Sequence, residues 1–145
     1  MGTSHLAETH RIVKIAEEVV QKIDDATTHP ALVVIEGLAF MAKGTSLVQL
    51  AGLNYLVRIL LAEFKWKFIM VAPTTLKKFA TGSGKGDKDM VAMALYKNYG
   101  FEATDNNEAD AFALAAIGAA VLGSPLRPLL KPQQEVVNLL KTQLS

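Results

Sequence analysis

Glu36 closes an apolar run, Leu32-Val33-Val34-Ile35, and Asp110 lies far downstream with Phe112, Ala113 and Leu114 just after it. A carboxylate at the end of a buried strand is costly unless a cation or a polar partner meets it. Two such acids delivered by distant segments suit a metal site built from both. Their oxygens are the donors that a hard ion such as Mg²⁺ prefers. Asn107 precedes Asp110 by one helical turn, so the two project from one face. A plainer reading exists for each position. Glu36 fits a strand-end residue that turns into solvent. Asp105, Asn106 and Glu108 fit helix capping and a favourable interaction with the helix dipole. Asp110 fits that plainer reading less well.

A second group is basic. Lys77-Lys78 and the segment Gly82-Ser83-Gly84-Lys85-Gly86-Asp87-Lys88 read as a flexible stretch whose glycines and lysines suit contacts to a phosphate backbone. A solvated surface loop is the alternative, with Asp87 capping the helix that follows. The segment is no phosphate-binding P-loop, because Gly84-Lys85 lacks the following Ser or Thr and the earlier glycine. Phe40, Met41 and Lys43 lie in a loop after Glu36. Phe40 suits an apolar wedge near bases, or else a cover for the core edge. His5, His10 and His29 have no ligand spacing, and no Ser sits in a nucleophile setting.

The elements that must carry these residues follow from periodicity. Ile12, Ile15, Ala16, Val19, Val20 and Ile23 predict an amphipathic helix over 5–25. Thr27-Thr28-His29-Pro30 breaks it. The β-branched run 31–35 predicts a buried strand, parallel by composition. Leu47, Leu50, Leu53, Val57, Leu60, Leu61 and Phe64 predict a second helix. A second strand over 68–72 stops at Pro73. A third helix covers 88–98 and ends before Gly100. A fourth, rich in alanine, covers 108–122 and can lie close to a sheet. Three prolines then connect to a short last helix over 133–142. Helices alternating with strands predict an α/β fold. The boundaries set a domain over 1–123 and a connector with terminal helix over 124–145.

Composition narrows the classes. The 145 residues are half hydrophobic and carry a net charge of +1, which excludes a disordered chain and a bulk polyanion binder. The absence of cysteine excludes a disulfide framework and is compatible with a reducing cytoplasm, where the chain is expected. No apolar run is expected to reach the length of a membrane span, so no membrane partner is expected.

Together the segments Val33-Val34-Ile35-Glu36-Gly37, Leu50-Ala51-Gly52-Leu53, Val71-Ala72-Pro73-Thr74-Thr75-Leu76-Lys77-Lys78-Phe79-Ala80-Thr81-Gly82, Gly86-Asp87-Lys88 and Asn106-Asn107-Glu108-Ala109-Asp110-Ala111 resemble the RuvC-type resolvases of the ribonuclease H-like superfamily, above all the short phage and mobile-element versions. The resemblance runs over 31–132. It implies a ribonuclease H-like fold and a homodimeric, Mg²⁺-dependent endonuclease (Mn²⁺ substituting) that cuts branched DNA such as Holliday junctions. Glu36 matches the family's glutamate at the end of the fourth strand. Asp110 matches the final aspartate of the last sheet-packed helix. Asn107 stands where the family often has another aspartate, with Glu108 beside it, so both join Glu36 and Asp110 as candidate ligands. Lys77, Lys78, Lys85 and Lys88 fall where the family contacts DNA, and Phe40 and Lys43 join them.

The family opens with three strands, the first carrying an essential aspartate. This chain begins in the helix that follows, so those strands are expected to be absent, and Asp24 and Asp25 do not replace that aspartate. With two carboxylates, weak metal binding and little cleavage are expected of the polypeptide. The free edge of the strand ending in Glu36 is expected to pair with a second copy or to be covered by a helix. Two readings stand: a resolvase-type nuclease, and a non-catalytic dimeric DNA-binding derivative.

Overall fold

A computed structural model describes residues 4–28, 31–38, 44–87 and 89–145. The elements in chain order are α1 (His5–Ala26), β1 (Leu32–Glu36), α2 (Thr45–Glu63), β2 (Lys67–Val71), α3 (Pro73–Thr81), α4 (Asp89–Tyr99), α5 (Asn106–Val121) and α6 (Lys131–Lys141), with a terminal 3₁₀ turn at Thr142–Leu144. This is a mixed α/β chain. Among the described residues it holds one sheet of two parallel strands, β1 and β2. Beyond β1, the Gly37 N–H donates to Val71 O at 2.7 Å. Within the described residues β1 pairs with β2 alone.

The chain forms two compact units. The first contains α1 and α2, packed on each other through Ala16, Val20, Leu61 and Trp66. Ser4 caps α1, its hydroxyl accepting from the Ala7 N–H at 3.1 Å. The apolar spacing read in the sequence accounts for this packing, since Ala16 and Val20 are the buried positions of α1. The Arg58 guanidinium lies 4.5 Å from the Tyr55 ring centroid and 6.0 Å from that of Phe68.

α2 corrects one expectation. Its Ser46–Glu63 stretch is long and apolar enough, by length and composition, to cross a membrane. Most of its side chains are not buried within the unit, and Val48, Tyr55 and Ile59 are 72%, 61% and 51% exposed. Asn54 and Arg58 interrupt the apolar run in sequence, but the helix as a whole is apolar on nearly every side.

The second unit holds the sheet residues 32–37 and 69–71 with α3 to α6. Its core joins Ile69, Val71, Leu76, Phe79, Leu95, Ile117 and Val137, and α6 adds Val136 and Leu140. Phe101 stacks on Phe112 at 4.1 Å between centroids. Gln133, 5% exposed, donates to Phe79 O at 3.1 Å, and its side-chain oxygen accepts from the Leu130 N–H at 3.0 Å. Gln143 covers the edge of β2. Its amide accepts from the Met70 N–H and donates to Met70 O, both at 2.8 Å.

α3 is a helix that the apolar pattern of the sequence does not predict. Pro73 ends β2 but also starts α3, because its fixed φ and missing N–H suit the first helical position. Leu76, Phe79 and Ala80 then bury one face. α3 ends at Gly82, whose φ of 87° is the left-handed conformation that glycine adopts without steric cost. Lys77 and Lys78 are therefore helical residues and not part of a flexible stretch.

Candidate functional site

Glu36 is the last residue of β1 and is partly buried. Asp110 sits in the second turn of α5 and is also partly buried. The two elements touch directly. The contact is close because α5 presents Gly118 to β1: a Cβ at position 118 would fall 2.8 Å from Val34 Cγ2. Ala109, Ala113, Ala116 and Ala120 are buried on the same helix, so small side chains let it approach its neighbours. Sheet and helix thus each bring one carboxylate to a single packed pair of elements.

The remaining candidate ligands divide. Asn107 is exposed, one turn before Asp110 on the same helix. Glu108 is occupied by the helix start. Its carboxylate accepts from Thr104 Oγ1 at 2.7 Å, and its N–H donates to Asp105 Oδ1 at 2.8 Å. Asp105 is the N-cap of α5, as the capping reading held. The partner that reading missed is Thr104, whose signal was its spacing of four residues from Glu108. Among the described residues no group of three or more His, Cys, Asp or Glu gathers where a metal could bind.

The basic candidates are held in different ways. Lys77 Nζ donates to Gly86 O at 3.3 Å and ties α3 to the glycine segment. That segment is further organised by Ser83 N–H donating to Thr81 Oγ1 at 3.2 Å and by Lys85 N–H donating to Ser83 Oγ at 3.2 Å. Gly86 has a φ of 112°, and a side chain there would collide with Met90. Lys78 turns away to α6 and forms an ion pair with Glu135 at 2.7 Å. This hydrogen bond, with the charge of Lys78 behind it, holds the Glu135 carboxyl below its ordinary range. Lys85 is exposed. Lys88, Phe40 and Lys43 lie outside the described residues, as do His29 and Pro30.

Glu36, Asp110 and Asn107 offer only oxygen donors, the chemistry that suits a hard divalent cation. The fold is a mixed α/β chain in which a strand that ends in a carboxylate packs on a helix that carries another. Residues 2–118 match the family model for crossover junction endodeoxyribonuclease RuvC. The chain belongs to the RuvC family.

Solved structures agree at the level of the fold. A Thermus thermophilus RuvC structure matches with a TM-score of 0.57 and 21% identity, covering 86% of this chain and 76% of that one. T. thermophilus RuvC in complex with a Holliday junction substrate matches with a TM-score of 0.57 and 22% identity, covering 84% of this chain and 76% of that one. No curated protein is similar enough to count as a match.

Proposed function

We propose that this protein is a structure-specific endonuclease-type protein of the ribonuclease H-like class that acts on branched DNA as a homodimer in the cytoplasm. The observation that carries the reading is the direct packing of α5, with Asp110, on β1, with Glu36, in a chain of the RuvC family. The solved relative bound to a Holliday junction supports four-way DNA as the substrate.

Glu36 and Asp110 are the residues that would hold Mg²⁺ or Mn²⁺, with Asn107 contributing an amide oxygen. A bound ion supplies charge neutralisation at a phosphodiester and lowers the pKa of bound water. The two carboxylates would act as ligands and not as proton carriers. Lys77, tied from α3 to the glycine segment, and Lys85, within that segment, would hold flanking phosphates by charge. Lys78 would contribute less, because Glu135 already pairs with it.

Homodimer formation is supported by α2. Val48, Gly52, Tyr55, Ile59 and Ala62 are all exposed and recur at helical spacing along one face. An apolar stripe of this length usually marks an interface.

The test is binding and cleavage of a four-way junction against linear duplex of the same sequence, with Mg²⁺ or Mn²⁺ and with Glu36→Gln and Asp110→Asn as controls. Junction-selective binding with slow, metal-dependent cleavage lost in both variants is expected. Equal affinity for both DNAs would sink the reading. A second reading, a non-catalytic DNA-binding derivative, is favoured by the lack of a third acidic or histidine ligand among the described residues. Junction-selective binding with no cleavage at any metal concentration would select it.

A further inference from the structure

We propose that the cleft between α1 and α2 binds a small organic cation with an apolar stem. The cleft has a volume of about 340 Å³, within the range of small-ligand sites. Its lining divides by chemistry. Val20, Leu60, Phe64 and Trp66 give an apolar and aromatic floor. Glu17 and Asp24 stand on the α1 side, two turns apart on one helix face, with Val20 and Gln21 between them. Gln21 is oriented by its own partner, its Nε2 donating to Asp25 Oδ1 at 2.9 Å.

The charge is one-sided. Two carboxylates line the cleft and no lysine or arginine is among the described residues that do. Neither carboxylate belongs to the ion pair present among the described residues, Lys78–Glu135. An anion is therefore repelled, and a neutral apolar ligand leaves the carboxylates unused. An alkylammonium satisfies both halves. Its stem covers Val20, Leu60 and Phe64, as a lysine stem covers apolar surface. Its charged head meets either Glu17 or Asp24, which stand about 10 Å apart along the helix axis. The stripe of α2 assigned to dimerisation lies on a different face from Leu60 and Phe64, so the site is independent of the nuclease reading.

Trp66 is the single tryptophan of the chain and is 4% exposed, so its fluorescence reports on this cleft. Titration of the full chain with n-pentylammonium is expected to change Trp66 emission saturably. The isosteric 1-pentanol is expected to bind more weakly. In the Glu17→Gln/Asp24→Asn double variant, affinity for the ammonium should fall up to about fivefold, the size expected of one exposed charge contact, while affinity for the alcohol stays unchanged. Both residues are exposed, and an unchanged thermal melt by circular dichroism confirms that the variant folds. No saturable change, equal affinity for amine and alcohol, or full affinity in the double variant would each overturn the proposal.

Discussion

Gly118 of α5 lies against Val34 of β1 so closely that a Cβ at 118 would come within 2.8 Å of Val34 Cγ2. Valine is stiff at χ1 and cannot swing its methyl aside cheaply. The same helix carries Asp110 and the same strand ends in Glu36. Gly118 therefore controls how near the two carboxylate-bearing elements come. Gly118→Val should destabilise the protein by about 1–3 kcal/mol through overpacking. Gly118→Ala should cost less, because alanine gains up to ~1 kcal/mol in helix propensity. Thermal melts of both variants check the order, and Mn²⁺ affinity should fall with the valine variant.

Metal binding itself should be weak. Two carboxylates and one amide neutralise a pair of divalent ions poorly. Mn²⁺ titration is expected to show low affinity in the unmodified chain, and none at this site in Glu36→Gln/Asp110→Asn. Asn107→Asp adds a third carboxylate on the face of Asp110 and should raise the affinity. An unchanged affinity in that variant would remove Asn107 from the ligand set.

The exposed stripe of α2 makes a prediction about assembly. Light scattering should give the mass of a dimer for the full chain. Tyr55→Asp/Ile59→Asp places two charges in the stripe, where desolvating them opposes association. That variant should run as a monomer with α-helical content retained. A dimer that persists at the same concentrations would assign the interface to another surface.

The Lys78–Glu135 pair sets a pH dependence with a definite sign. Folding holds the Glu135 carboxyl below its ordinary range, through the hydrogen bond from Lys78 first and its charge second. A carboxylate lowered in this way stabilises the fold at pH values above its unfolded pKa, about 4.3, and loses that contribution as pH falls through the folded value. Glu135→Gln should therefore lower the melting temperature slightly at neutral pH. The difference should close in acid, and it should shrink in about 1 M salt, where exposed charges are screened.

Much of this architecture was readable from local pattern. Apolar spacing marked α1 and α2, and alanine content with glycine and proline boundaries placed α4, α5 and α6, all to within a few residues, because both signals lie in neighbouring side chains. The run before Glu36 marked β1, and Asp105 marked its cap. α3 is not legible in the sequence because Pro73 both ends a strand pattern and begins a helix. A nine-residue helix with three buried positions leaves little periodicity to detect.

What the sequence determined alone is the α/β alternation, a carboxylate at a strand end, and a second carboxylate and an amide on one helix face. Those depend on residues a few positions apart. Only the tertiary structure decided that α5 lies on β1, that Lys78 is spent on Glu135, that Glu108 serves the start of its own helix, and that α1 and α2 enclose an acid-lined cleft. Each of these joins side chains brought into position by packing, and packing depends on the shape of both surfaces at once. For the Glu36 and Asp110 elements that shape is the missing side chain of Gly118.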